Sequence, residues 1–369
     1  MDILGEQELA VLELVKANPF AGQQEIASAL GLARSTVAAH IVQLVQKGHI
    51  LGRGYILPSS QRAVCLGGAV LDRKYHAIET LRAGTSNPVE GFRSPGGVAR
   101  NVAENLALLG TATSFVSIIG NDEPGREILR HMRERDIDVT QMQVSERGRT
   151  AEYAAILDPS GELELGLADM AIFDEFVPAV LDRIWPHLAA ATWIFADCNL
   201  PAATLKALIE RKQDARFHLA IDAVSTPKVR RLPASLAGVD LIFMNVSEAN
   251  VFLGRTGEAG IDDARTAALG LRNAGAAQAI VSMGAAGIAV AASDTTAVYP
   301  AVRAHPVDMT GAGDAMIAAT LHRLIEGDPL TQAARIGTLL AALTTECPTS
   351  VHPTLSDRFL TANLHRLDA

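Results

Sequence analysis

Cysteine is scarce in this chain of 369 residues, which carries only Cys65, Cys198 and Cys347. They are odd in number, far apart and in no metal-ligand spacing, which argues against a disulfide framework or a zinc site and for a reducing compartment. Long apolar runs are missing too. The most apolar long window, Ala276 to Ser293, has Gly284 and Gly287 at its centre and reads as two buried strands joined by a turn, not as a membrane span. The N-terminus is acidic and polar where a secretory signal would be basic and then apolar, so a cytoplasmic location is expected. No internal repeat or low-complexity tract stands out. A net charge of −9 argues against a general nucleic-acid coat while leaving room for a small DNA-reading module. What the chain has in plenty is apolar content, 49% of its residues, at a length comfortable for two domains.

Residues 1–58 read as a separate unit. Leu9, Leu12 and Val15 share one helix face, Ile26 and Leu30 a second, and Val37, Ile41, Leu44 and Val45 a third. Gly31 breaks the chain between the second and third helices, and Gly48 ends the third before a β-like stretch, Ile50 to Leu57, containing Gly52 and Gly54. Four Lys or Arg face five Asp or Glu here, but every acid lies at or before Glu25. The third helix and the stretch after it keep Arg34, Lys47, Arg53, His40 and His49 with no acid, a face that can meet phosphate. Ala33 stands where a Ser or Thr cap is usual, at a cost of about 1 kcal/mol. Pro58-Ser59-Ser60-Gln61 reads as a linker.

From Arg62 onward apolar strand-like runs alternate with helical patterns, as in Ala63–Leu66, Thr192–Ala196, His218–Ile221, Leu241–Met244 and Ala279–Val281. Continuous apolar runs of this kind read as a buried parallel sheet. Four of the runs end in Asp197, Asp222, Asn245 and Ser282, polar residues of the kind found beyond the carboxyl ends of strands at ligand sites, although each alone is also a turn former.

The stretch Asp308-Met309-Thr310-Gly311-Ala312-Gly313-Asp314 carries the most chemistry. Two glycines around an alanine let the backbone turn sharply and aim successive N–H groups at one spot, and the apolar run after Asp314 reads as a helix whose positive end faces it. A carboxylate at the mouth of such an anion hole is placed to take a proton from a hydroxyl while the N–H groups hold charge on a transferring phosphoryl group. The plain alternative is a glycine-rich turn with Asp314 as a helix cap.

Other segments favour the chemical reading. Gly96-Gly97-Val98-Ala99-Arg100-Asn101 leads into a helix expected at Val102 to Leu109, and Gly67 to Asp72, Ile119-Gly120-Asn121-Asp122, Asn245-Val246-Ser247-Glu248 and Ser282-Met283-Gly284 follow with it in order. With the Asp308 stretch they make residues 62–369 resemble the ribokinase-type (PfkB) family of sugar and nucleoside kinases. Residues 1–58, through Gln24–Ala27 and Arg34–Ile41, resemble the winged helix-turn-helix domains of bacterial regulators. The resemblance implies an α/β fold, a ribokinase-like three-layer αβα (Rossmann-like) sheet with a small β lid from about 75–93 and 150–168, preceded by an all-α winged helix-turn-helix domain. It also implies ATP and Mg²⁺ as cofactors.

Within that resemblance Asp314 is the base, and the N–H groups of Gly311, Ala312 and Gly313 hold the γ-phosphoryl charge. Asp72, Asn87, Gly96, Gly97, Asn101 and Asp169 face the acceptor. Asn245, Glu248, Ser282, Gly284 and Lys228 face the nucleotide, with Asn245 and Glu248 ordering water around the magnesium ion. Asp308, Thr310 and Ser350 would line a K⁺ site. Arg34, Ser35, Thr36, His40, Gln43, Lys47 and Arg53 would meet DNA. Thr85–Pro88, Ser94–Asn101, Leu167–Met170, Ala196–Asn199 and Asp222–Ser225 look most like the pseudouridine kinase branch, with Ala223 and Ala99 as departures. They imply 5′-phosphorylation of a ribonucleoside by a homodimer clasped through its lids, with other nucleosides, plain sugars and a ligand-sensing regulator as open alternatives.

Overall fold

The computed structural model describes residues 4–51, 61–256, 260–292 and 295–368. The head begins with α1 (Glu6–Ala17), α2 (Gln23–Leu30) and α3 (Arg34–Gln46). Val11, Leu12, Val15, Ile26, Val37, Ile41, Leu44 and Ile50 close a small core of their own. Leu9, expected on the buried face of α1, is 48% exposed, and Val11 is buried with Leu12 and Val15 instead, since residues three and four apart share a helix face. Gly31 ends α2 in the left-handed region at φ 66°, where a side chain is strained. The expected wing from Gly52 onward, Arg53 and the linker through Ser60 lie outside the described residues.

The larger unit runs β1 (Arg62–Leu66), β2 (Val70–Ala77), β3 (Val89–Gly96), α4 (Val98–Leu108), β4 (Ala112–Val116), β5 (Ile118–Gly120), α5 (Glu123–Arg133), β6 (Gln143–Ser145), β7 (Ala151–Leu157) and β8 (Leu163–Asp169). It continues with α6 (Pro178–Ala189), β9 (Trp193–Asp197), α7 (Ala202–Lys212), β10 (His218–Asp222), β11 (Leu241–Asn245), α8 (Val246–Leu253), α9 (Ile261–Asn273) and β12 (Gln278–Ser282). Last come β13 (Ile288–Ala292), β14 (Thr295–Tyr299), α10 (Ala312–Ile325), α11 (Leu330–Thr345) and α12 (Asp357–Ala362).

Eight strands form one sheet in the order β14-β13-β12-β11-β10-β9-β1-β4, parallel from β4 to β12 and antiparallel at β13 and β14. Alternation along each strand sends side chains to opposite faces. Val64, Leu66, Ile194 and Ile221 pack on one face with Ile184, Leu188, Leu205 and Leu271 from α6, α7 and α9. Ala63, Cys65, Phe195 and Phe243 pack on the other face with Val102, Ile128, Met316 and Leu321 from α4, α5 and α10. Helices therefore cover both faces, the three-layer arrangement of ribokinase-like proteins.

A second sheet of four strands, β3-β2-β7-β8, stands beside the main one. The segments expected at 75–93 and 150–168 supply it, with β2 beginning earlier, at Val70. Ala276 to Ala292 forms the expected strand pair, β12 against β13. The helix expected at Val102 starts at Val98 instead. Its first turn is held from a distance, because the Asp197 carboxylate on β9 accepts from Ala99 N at 2.9 Å, a cap that no local spacing announces. No single helix among the described residues is long and apolar enough to cross a membrane.

Candidate active site

Parallel strands put their carboxyl ends on one edge, where ligands bind in open α/β sheets. Asp197 lies opposite Asp222, and Asn245 opposite Ser282, so the four strand-end residues share that edge. They do not share a role. Asp197 is fully buried and accepts from Gly68 N at 2.9 Å, Asn199 N at 2.8 Å and Asn199 Nδ2 at 3.0 Å as well as from Ala99 N. It binds the loop after β1 to the start of α4. Asp222 is half-buried, and burial, together with the Glu248 and Asp314 charges, pushes its carboxyl well up. Just beyond it Val224 sits at φ 66°, a strained conformation for a β-branched residue and of the kind that clusters at functional sites.

The Asp308 stretch forms the turn that its glycines suggested. Gly311 is the residue before α10, at φ 81°, and a Cβ there would lie 2.0 Å from the Ser350 carbonyl oxygen. Only glycine fits such a position. Ala312 and Gly313 then open α10, so their N–H groups are among those with no partner inside the helix. Asp314 is not the cap residue but lies in the first turn, and its Oδ2 accepts from Asn101 Nδ2 at 2.6 Å. Burial raises the Asp314 carboxyl to about 6, the Asp197 and Asp72 charges adding to it, while Asn101 and Arg100 oppose them. A carboxylate tuned to that range is ionised near neutrality yet basic enough to accept a proton.

Asp72 faces the same region from β2. Burial lifts it to about 6 against the pull of Arg100 and Lys74. Gly96 gives it room, since a Cβ there would fall 1.9 Å from Asp72 Oδ2. Gly97, at φ 99°, brings its backbone against Gly68, whose carbonyl oxygen would be 2.4 Å from a Cβ. Arg100, only 2% exposed, pairs with Glu104 and the side-chain carbonyl of Asn101, and thereby sets the Asn101 amide with its donor towards Asp314. Glu104 in turn is held by His131 and Arg135 as well; burial would raise it, but the His131 hydrogen bond and the Arg100 and Arg135 charges bring it down to about 2. This Arg100–Glu104–His131–Arg135 cluster was not foreseen in the sequence.

Two cavities flank this centre. An apolar cleft of about 340 Å³ runs over Ser282, Gly284, Ile288, Ala301 to Ala304, Met316, Ala341 and Ala342 and ends on Ala312 and Gly313. Its apolar lining suits an aromatic base, and the helix-terminal N–H groups at Ala312 and Gly313 suit phosphate. A more polar cavity of about 940 Å³ is lined by Asp72, Lys74, Arg93, Arg100, Asp308 and Ser350. Asn245 and Glu248 grip each other, Glu248 N donating to Asn245 Oδ1 and Asn245 N to Glu248 Oε2, both at 2.9 Å. No group of three or more His, Cys, Asp or Glu converges as a ligand set among the described residues. A magnesium ion that keeps its waters needs few protein ligands, and the Asp222 and Glu248 carboxylates, close enough for their charges to act on each other, are oxygen donors of the kind that would suit one.

Several expected site residues lie elsewhere. Asn87 closes its own loop, accepting from Arg82 N at 2.8 Å and donating to the Arg82 and Thr85 carbonyls. Asp169 is exposed at the end of β8, opposite Glu152. Lys228, expected at the nucleotide, donates to Asn199 Oδ1 at 2.6 Å beside the Asp197 knot. In the head Arg34, Ser35 and Gln43 are exposed on α3 and Thr36 is half-buried. Lys47 gives its ammonium to Glu8 on α1 at 3.0 Å, and His40 meets Gln7 at 3.3 Å, so both lean towards α1. Gln46 and Val42 are exposed in their place.

A buried carboxylate in the first turn of a helix opened by glycine suits phosphoryl transfer to an alcohol, and the fold around it is that of ribokinase-like sugar and nucleoside kinases. Residues 60–357 match the pfkB family carbohydrate kinase description, and the chain belongs to that family. Residues 4–50 match a winged helix-turn-helix DNA-binding domain. The chain is 30% identical over 356 residues to the uncharacterized sugar kinase YeiI of Escherichia coli K12, covering 96% of this chain and 97% of that one. It is 27% identical to the pseudouridine kinase of the same organism, over 79% of this chain and 93% of that one. A carbohydrate kinase from Agrobacterium tumefaciens superposes with a TM-score of 0.74 at 30% identity, over 83% of this chain and 97% of that one.

Proposed function

We propose that the protein transfers the γ-phosphoryl group of ATP to the 5′-hydroxyl of a ribonucleoside, with pseudouridine as the substrate, and that its head binds DNA. The observation that carries the reaction is Asp314, raised to about 6 by burial and aimed by Asn101 at the start of α10. Asp314 takes the hydroxyl proton. The freed oxygen bonds to the γ-phosphorus as the bond to ADP breaks, and the N–H groups of Gly311 to Gly313 hold the charge on the moving group. A magnesium ion at Asn245 and Glu248 would neutralise phosphate charge. Asp72 accepts from the ribose diol, and Gly96 and Gly97 let the ring lie against bare backbone. Closure of the four-stranded sheet over the acceptor would exclude water and suppress ATP hydrolysis.

The choice of acceptor rests on the 27% identity with a pseudouridine kinase and on the stretches quoted from the sequence. Similarity to a guanosine-inosine kinase of Exiguobacterium acetylicum, 26% identical over 75% of this chain, makes a purine nucleoside the second reading. On β8 Leu163, Leu165 and Leu167 are each about half exposed on one face of the strand, which supports a dimer joined through the lids. A dimer also suits paired reading heads, with Arg34, Ser35 and Gln43 on the exposed face of α3 meeting DNA. The test is turnover of a panel of pseudouridine, uridine, inosine, guanosine, cytidine and ribose by the purified protein with ATP. Preferred turnover of pseudouridine supports the reading; preferred turnover of another acceptor replaces the substrate and keeps the mechanism.

A further inference from the structure

The Asp308 carboxylate, which the family resemblance places with the Thr310 carbonyl in a K⁺ site, already holds a cation in this chain. Asp308 Oδ2 is already met by Lys74 Nζ at 2.6 Å, and Oδ1 accepts from Thr310 N at 2.8 Å. Both carboxylate oxygens are engaged. The cation comes from β2, outside the Asp308 stretch and 234 residues away in sequence. We propose that the Lys74 ammonium is a built-in cation at this position, so that turnover needs no monovalent metal ion; this rests on the kinase reading above.

The placement explains what the charge does. An ammonium carries the same single charge as K⁺, and a contact this short is charge-assisted. Asp308 starts the turn that leads to Gly311 and the N–H groups of Ala312 and Gly313. Holding its carboxylate against Thr310 N fixes the entry to the anion hole. The pair is partly sheltered, with side-chain exposures of 36% for Lys74 and 25% for Asp308, so bulk salt screens it only in part. Burial raises the Asp308 carboxyl, but Lys74 and Thr310 outweigh burial and hold it below its ordinary value. Lys74 also lies two residues from Asp72, hence on the same face of β2. One strand of the lid sheet thus carries the acceptor's carboxylate and the cation that steadies the phosphate turn, and the placement of that strand sets both. Lys74 is a positioning residue, since it acts through Asp308.

The experiment compares the full-length protein with Lys74→Ala and the longer neutral Lys74→Met in tetramethylammonium, sodium and potassium chlorides of equal ionic strength, reading turnover and melting temperature. For the wild type, turnover in the three salts should agree within about twofold, and Lys74→Ala should lose about tenfold or more in tetramethylammonium and recover most of it in potassium. Melting of Lys74→Ala should rise with potassium in a saturable way, as expected for a cation bound only by the folded state, while the wild type shows no such rise. Lys74→Met, whose side chain fills the space, should stay low in every salt. A wild type that requires potassium overturns the proposal. So does a Lys74→Ala variant that is fully active in tetramethylammonium, or one that melts like the wild type yet is inactive in every salt. The melting comparison needs no acceptor, so it still decides the role of Lys74 if no panel compound is phosphorylated.

Discussion

Replacing Asn101 by leucine removes the donor to Asp314 while keeping most of the side-chain volume, and its effect can be worked out in advance. The 2.6 Å contact from Asn101 Nδ2 is a hydrogen bond to a charged acceptor that opposes the burial raising Asp314. Such a bond contributes about 1.5–3 kcal/mol, which at about 1.4 kcal/mol per pKa unit is a rise of about one to two units. From about 6, the carboxyl would move to about 7 or 8. The base must be ionised to accept a proton, so the rate is lost as pH falls through the folded-state pKa. At pH 7 the ionised fraction would drop from about nine-tenths to between about one-tenth and one-half, a loss of about two- to tenfold in kcat/KM that recovers by about pH 9. The assay is a pH profile of kcat/KM for both proteins with a saturating level of ATP. If the acid limb stays in place and the loss is the same at every pH, Asn101 serves the acceptor alone and its link to Asp314 is wrong.

Gly96→Ala should push the Asp72 carboxylate aside, raising KM for the acceptor by about tenfold or more with little change in melting, as read by steady-state kinetics and a thermal scan. Gly311→Ala meets the Ser350 carbonyl and an unfavourable φ at once, so kcat should fall by about 10²-fold or more as the anion hole loses its shape, while the acceptor still binds by calorimetry. Ala33→Ser supplies the missing cap of α3 and should stabilise the head by about 1 kcal/mol in a denaturant titration of the full chain.

The sheet was legible because its strands are buried on both faces and read as unbroken apolar runs between helical segments. The turns before α4 and α10 were legible because glycine at Gly97 and Gly311 answers a backbone need that no other residue meets. What stayed hidden were partnerships between side chains far apart in the chain. Nothing near Val98 says that a helix begins there, because its cap is Asp197. Nothing in the sequence singles out Lys74, Glu104 or His131, yet β2, α4 and α5 bring Lys74 against Asp308, and Arg100 and His131 against Glu104. Lys47 shows the same limit: the acid-free run around it suggested a phosphate contact, and nothing local announces its pairing with Glu8 on another helix. Local pattern reports the backbone's demands, and long-range pairing must be seen in three dimensions.

The central claim is that Asp314 is the base of an ATP-dependent phosphoryl transfer, and the most direct measurement is turnover of a ribonucleoside by the wild type and by Asp314→Asn, with the product's phosphate position read by phosphorus NMR. The account predicts a 5′-phosphate from the wild type and a loss of about 10²- to 10⁴-fold in the variant. A variant within about tenfold of the wild type, or a wild type that binds nucleoside without turning it over, would contradict it.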